Sequence, residues 1–346
     1  MAARATKSAR LDRIDHQLVH ALLIDGRAPF SLLAEVIGTS EQTVARRYRR
    51  LQDAGAARVL VLPAPSEGAL DWIIRIGVRP GAAGKLATAL AQRDDVSWLR
   101  IMAGGAEVLC ISRPTSAVQR DALLLERLAR TSVATSVGAH AILKIFSDTW
   151  SGFDDPLDPD QASALRAAAP ARADGSADPD GRDGPPDGRA GSPDPHPEDD
   201  ALYEALREDG RAGYAQLAAA AGISPARAAR RLETLLATGQ AYVHVDLATE
   251  PLGFPTAAAL WLSVAPAELE RVGERLGALA STTFVAAVTG PVNLTGSVLC
   301  RTEAELYSLL TDEIGAIDGI QSAEISPVMR RVKQADTILR GPRLRL

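Results

Sequence analysis

Cysteine, histidine and aromatic residues are scarce in this sequence. Of 346 residues, two are cysteines, five are histidines and 4% are aromatic. Cys110 and Cys300 each lie in an apolar run that reads as a buried strand. No CxxC and no Cys/His cluster accompanies them, so the expectation is two reduced core thiols and no metal centre. No apolar run approaches the roughly 20 residues of a membrane span. The basic start, MAARATKSARLDRIDHQ, lacks the apolar stretch of a secretory signal. These absences predict a cytoplasmic protein without a bound cofactor. His16 and His20 fall on the first predicted helix and His196 in a polar stretch. His140 and His244 fall in predicted strands, where a structural role is expected.

What is present is unevenly distributed. The net charge of −5 argues against a nucleic-acid partner until it is divided along the chain. Residues 1–60 hold ten Lys/Arg against six acids, a net +4. Residues 154–200 hold four Arg against thirteen acids, a net −9. An acidic middle therefore masks a basic N-terminal module, and local sign matters more than the total for phosphate attraction. That middle is dense in Pro, Gly, Asp and Ala, with almost no large apolar side chain from Pro170 to Pro197. It has too little apolar surface to offset ordering entropy, so a disordered acidic linker is expected over 154–197.

The segments flanking this linker are copies of one another. Shifted by 184 residues, Asp15–Val59 lands on Asp199–Val243 without a gap, with 19 of 45 positions identical. DGRA at 25–28 meets DGRA at 209–212, and Arg46-Arg47 meets Arg230-Arg231. In the first copy the apolar spacing predicts helices over 12–24, 30–37 and 41–54, with Ser40 as N-cap of the third and Gly55 as its stop. A short strand, Arg58–Leu62, follows as a possible wing. Beyond it, each half gives the order β-α-β-β-α-β, the ferredoxin-like split arrangement. The fold class read from these patterns is α+β. It comprises two winged helix-turn-helix units (10–64 and 198–248) and two ferredoxin-like βαββαβ domains (70–150 and 253–335), an internal repeat joined by the linker. The basic C-terminal tail, KQADTILRGPRLRL, reads as solvated.

The third helix of the first copy carries the chemistry. At about 100° per residue, Val44, Tyr48 and Leu51 form one stripe that faces the core. Gln42, Thr43, Arg46, Arg49 and Arg50 lie opposite, with Arg47 on the flank and Ser40 at the entrance. A third helix of this kind enters the major groove of double-stranded DNA, where Arg bonds guanine, Gln bonds adenine and other cations hold phosphates. A solvated basic face is the competing reading. In the second copy Gln42, Arg49 and Arg50 become Ala226, Glu233 and Thr234, while Arg227, Arg230 and Arg231 supply the cations. The first copy is therefore expected to be the stronger reader.

LDRID at 11–15, then DGR, LA…G-S and a basic helix ending L…G, resembles the Lrp/AsnC, or feast/famine, transcription regulators. PLGF at 251–254 and TGPVN at 289–293 resemble that family's Leu-Gly before the first strand of the effector domain and its Thr-Gly-x-x-Asp turn. The chain looks like a tandem, double-length member. The resemblance implies DNA binding, dimerisation through the effector domains and a small-molecule effector such as an amino acid. It points to Gly104, Gly105, Glu107, Thr289, Gly290 and Asn293 as candidate effector contacts. The first copy departs from the pattern: it lacks a clear Leu-Gly, and its turn, MAGGAEV, lacks the Thr and has Glu107 for the Asp. The same domain plan also resembles sirohaem decarboxylases, a tetrapyrrole-enzyme alternative. No Arg/His/Tyr cluster stands out in the second and third strands of either half. A third alternative is a ligand-sensing scaffold whose second helix-turn-helix has lost DNA. No catalytic residue is assigned, and the expected partners are DNA, a small effector and further copies of the chain. In the expected mechanism the two effector domains of a chain pack through their sheets as a pseudo-dimer.

Overall fold

A computed structural model describes residues 11–64, 70–128, 130–148, 150–152, 156–169, 196–341 and 343–344. Each copy begins with three helices. These are α1 (Arg13–Ile24), α2 (Phe30–Ile37) and α3 (Glu41–Asp53) in the first. Local chemistry sets their ends. Asp12 and Asp15 close a capping box on α1, Gly38 ends α2 in the left-handed region, and Ser40 accepts from the Thr43 N–H to start α3. A wing strand, β1 (Ala57–Pro63), follows.

The first βαββαβ unit comprises β2 (Trp72–Val78), α4 (Ala83–Ala91), β3 (Val96–Met102), β4 (Glu107–Ser112), α5 (Ala117–Asp121) and β5 (Ala134–Ser147). Helix α6 (Pro159–Ala168) comes next, inside the stretch expected to be linker. It corrects that expectation. Asp158 and Gln161 form a capping box, and Leu157, Ala162 and Leu165 are buried in one cluster with α1 and α2. The Gln161 side chain also donates to the Val36 carbonyl at 2.6 Å. Ala162 and Leu165 on one side of the helix, with Leu157 just before it, are enough to dock this segment. Most of the Pro- and Gly-rich remainder, 170–195, lies outside the described residues.

The second copy repeats the plan. It has α7 (Asp199–Glu208), α8 (Tyr214–Ala221), α9 (Pro225–Ala237) and wing β6 (Ala241–Leu247). Then come β7 (Thr256–Val264), α10 (Leu269–Gly277), β8 (Thr282–Val288), β9 (Leu294–Cys300), α11 (Glu303–Ser308) and β10 (Ile320–Arg331). The C-terminal segment is not a solvated tail. It folds into β11 (Lys333–Gln334), β12 (Thr337–Arg340) and β13 (Arg343–Leu344). Leu344 is buried against Gly55, with its N–H donating to the Gly55 carbonyl at 2.9 Å, and Ala335 packs with Leu60 and Leu62. Burial of these few apolar groups, with a backbone hydrogen bond, holds a segment that its charge alone would leave in water.

Two sheets join the halves. Strands β1 and β6 pair antiparallel, with Leu60 opposite His244. The larger sheets close on one another as a barrel in the order β10-β3-β4-β2-β5-β8-β9-β7. Its seams are β5 with β8 and β10 with β3. Helix α4 and the helical turns after α5, through Leu123 and Leu128, cover one face of the first sheet, and α10 with the turns after α11, through Leu309 and Ile314, cover one face of the second. The other faces meet inside, where Ile73, Met102, Leu109 and Ile142 of one half pack with Ala259, Trp261, Ala286 and Val288 of the other. Corresponding strand positions in the two halves differ by 186 residues here, so Arg75 and Trp261 are twins, and they stack on each other with the guanidinium 4.5 Å from the ring centre. Both thiols are buried, and burial pushes Cys110 up to about 12 and Cys300 up to about 11, so neither is a ready nucleophile at neutral pH. Among the described residues no helix is long and apolar enough to cross a membrane.

Candidate nucleic-acid interface

The third helices present the faces that their periodicity predicts. Val44, Tyr48 and Leu51 are buried, whereas Gln42, Arg46, Arg49 and Arg50 are exposed and Thr43 is half-buried. Which cations are available is a question of ion pairs. Arg47 is tied to Asp12 at 2.6 Å and to Asp15 at 2.9 Å, and its side chain is only 14% exposed. Arg50 also pairs with Asp15, which is fully buried. In α9, Arg231 is buried and pairs with Asp199 at 2.6 Å, and Arg227 pairs with Glu198 at 2.7 Å. Arg46, Arg49 and Arg230 have no side-chain partner among the described residues. Of the arginines expected to contact DNA, Arg47, Arg50, Arg227 and Arg231 thus have internal acidic partners. Arg47 and Arg231 clamp the third helix to the first, because a buried carboxylate left without a cation is costly. Ser40 and Ser224 accept from backbone N–H groups as caps. Gln42, Thr43, Arg46 and Arg49 lie together on the outward side of α3, with Arg50 at its margin. The second copy keeps Arg230, with Arg227 half committed to Glu198.

Both clamps were legible in the repeat. Asp15 and Arg47 are identical to Asp199 and Arg231 under the 184-residue shift. An acid and a base retained together in both copies signal an internal contact. The clamp makes stability sensitive to acid. Desolvation pushes the Asp199 carboxyl up, but the Arg231 hydrogen bond and charge outweigh it and hold it below the usual carboxylate value. A depressed native pKa adds stability that is present above the unfolded value, about 4, and lost as pH falls through the native one. Asp199→Asn is therefore expected to melt lower than the unaltered chain at pH 6, with the gap closing below about pH 4. Melting curves across that range test it, and a constant gap would contradict the clamp.

The DGRA motifs, given no role by sequence, join the two helix-turn-helix units. Arg27 donates to the carbonyls of Gly210 and Ala212, the latter at 3.3 Å. Reciprocally, Arg211 donates to Gly26 at 2.5 Å and Ala28 at 2.7 Å. Arg211 also lies 4.4 Å over the Phe30 ring. Each glycine lets the other unit's wing approach. A Cβ on Gly210 would stand 2.6 Å from the Leu60 backbone, and one on Gly26 2.8 Å from Val243. Each wing also completes the other unit's core. Val245 and Leu247 of β6 pack with α1–α3, and Val61 of β1 packs with α7–α9.

The expected effector contacts lie on two exposed hairpin turns, one in each half, but their side chains have internal partners. Glu107 receives two hydrogen bonds from Arg75. Asn293 accepts from the Val264 N–H at 2.9 Å and donates to its carbonyl at 2.8 Å. The Thr289 hydroxyl accepts from the Ala141 N–H at 2.9 Å, and its carbonyl accepts from the His140 ring at 2.7 Å. Gly104, Gly105 and Gly290 have the positive φ that such turns require. What these turns leave for a ligand is backbone, not side chain.

Comparison with known proteins finds the helix-turn-helix in both halves and the ligand binding domain in the second. The AsnC-type helix-turn-helix domain matches residues 11–52 and again 199–236, and the Lrp/AsnC ligand binding domain matches 257–338. An uncharacterised HTH-type transcriptional regulator of Pyrococcus furiosus is 27% identical over 147 residues, 39% of this chain and 99% of that protein. The regulatory protein AsnC of Escherichia coli is 28% identical over 142 residues, 39% of this chain and 93% of AsnC. The crystal structure of the siroheme decarboxylase NirDL has a TM-score of 0.55 at 14% identity and covers 93% of both chains. That likeness is one of fold.

Proposed function

We propose that the chain is a tandem member of the Lrp/AsnC family, and that it is a sequence-specific, cytoplasmic transcription regulator that binds double-stranded DNA and responds to a small molecule such as an amino acid. The observation that carries this reading is the α3 face, where Gln42, Thr43, Arg46 and Arg49 are held outward by a clamp that leaves Arg46 and Arg49 without internal partners. These two are left for phosphates and base edges.

The two readers are unequal and held at one spacing by the Arg27/Arg211 interlock and the β1–β6 ribbon. One chain therefore does the work of a dimer and suits an asymmetric site rather than a perfect palindrome. An effector that favours one packing of the barrel halves shifts that spacing and with it DNA affinity. Further association of chains through the effector domains fits the same plan. The double-length arrangement shared with a sirohaem decarboxylase does not alter this reading, since 14% identity carries the fold alone.

The test is binding of the full chain to the DNA upstream of its own coding region, titrated from about 50 to 200 mM salt. A reader with several phosphate contacts loses about 10³-fold or more in affinity over that range. Equal affinity for this DNA and for scrambled sequence would refute sequence-specific binding.

A further inference from the structure

The barrel seam between β10 and β3 contains a pair of like charges that the fold does not need. Arg331 of the second half and Arg100 of the first stand directly opposite each other in the ladder. Neither has a carboxylate partner among the described residues. Arg100 donates to the Ser297 hydroxyl at 2.8 Å, and Arg331 donates to the Thr249 hydroxyl. At the other seam the twin positions are Ile145 opposite Ala286, an apolar pair. Closing the barrel is therefore possible without cations, and the arginines require another explanation.

Arg331 and Thr249 form part of the wall of a cavity of about 300 Å³. Arg330, Ala257 and Val328 add to the wall, and the exposed Glu250 is the carboxylate on it. The volume is that of a small-molecule site. Two guanidiniums brought together half-buried are costly unless a counter-charge joins them. The local chemistry reflects that cost. Burial and the neighbouring Arg100 push Arg331 down to about 9, and burial pushes Arg100 down to about 10.

We propose that this cavity binds a small anion, a carboxylate or a phosphate, held by Arg331 and Thr249 with Arg100 supplying the second charge. The wall comes from the second half and the C-terminal segment, and Arg100 of the first half stands opposite Arg331 across the seam, so occupancy that draws on both charges favours the closed barrel. The site is distinct from the hairpin turns carrying Gly104 and Gly290. A guanidinium fork pairs with either oxyanion in bidentate geometry, so the ligand chemistry is shared and the source is decided by experiment.

The test uses the full chain without DNA, so its failure leaves the regulator reading intact. Melting is followed with inorganic phosphate, succinate or chloride at matched ionic strength, and calorimetry follows titration of phosphate and succinate into the unaltered chain. The expected result is a rise of a few degrees in melting temperature with phosphate or succinate beyond that with chloride, and a saturable heat with the same anion. Whichever anion acts identifies the class. Arg331→Gln and Arg100→Gln are each expected to abolish the rise, while melting no lower than the unaltered chain without anion, because a like-charge pair has been relieved. No saturable heat with either anion, or a rise retained in Arg331→Gln, would overturn the proposal. The calorimetric arm stands even if a variant fails to fold.

Discussion

Replacing Arg46 and Arg49 together by alanine is expected to lower affinity for the upstream DNA about a hundredfold or more at fixed salt, since each Arg contact to a base or phosphate contributes about 1–3 kcal/mol. Stability should change by no more than about 0.5 kcal/mol, because exposed residues without internal partners contribute little to the fold. The contrast is Arg47→Ala, which removes a cation from buried Asp15 and is expected to show first as a lower melting temperature. Arg230→Ala should weaken binding by less than the double change, because α9 offers Ala226 and Glu233 where α3 offers Gln42 and Arg49. Fluorescence anisotropy on labelled DNA, with melting of each variant, separates the two effects. Unchanged affinity in the Arg46/Arg49 variant would remove α3 as the reader.

Arg211→Ala should cost about 3 kcal/mol of stability. It deletes two charge-assisted hydrogen bonds to Gly26 and Ala28 and a guanidinium packed on Phe30. Because these contacts join the two reader units, DNA affinity should also fall, although Arg211 is not on either reading face. Gly210→Ala tests the same junction by steric means, since its Cβ would meet the Leu60 backbone at 2.6 Å and the wing would have to move. Gly213→Ala is the control: nothing lies within 4 Å of its Cβ, and its φ of −72° suits any residue. Chemical denaturation with anisotropy on the same DNA reads both effects. If Arg211→Ala and Gly210→Ala behave like Gly213→Ala, the junction does not set the spacing of the readers.

Much of the architecture was legible from periodicity. The three helices of the first copy, the Ser40 cap of the third and the β-α-β-β-α-β order follow from local patterns, and the observed α2 spans the expected 30–37. The repeat was legible because 19 aligned identities hold one register. Helix α6 was not, because its apolar residues sit among Pro and Asp, and only contact with α1 and α2 makes that helix worth forming. The docked C-terminal strands were hidden in the same way, because charge dominates their composition and the apolar minority decides their place.

Local pattern determined which helix carries the basic face, which side it would turn outward and that the helix-turn-helix occurs twice, because helical period and capping act over a few residues. Which arginines on that helix are free was decided only by the tertiary structure. Arg46 and Arg47 are neighbours of one type, yet Arg47 meets Asp12 and Asp15 across the packed helices whereas Arg46 meets solvent. The same holds for the DGRA motif and for Arg100 and Arg331. Charge pairing depends on distance in space, and the chain brings these groups together from 183 to 231 positions apart.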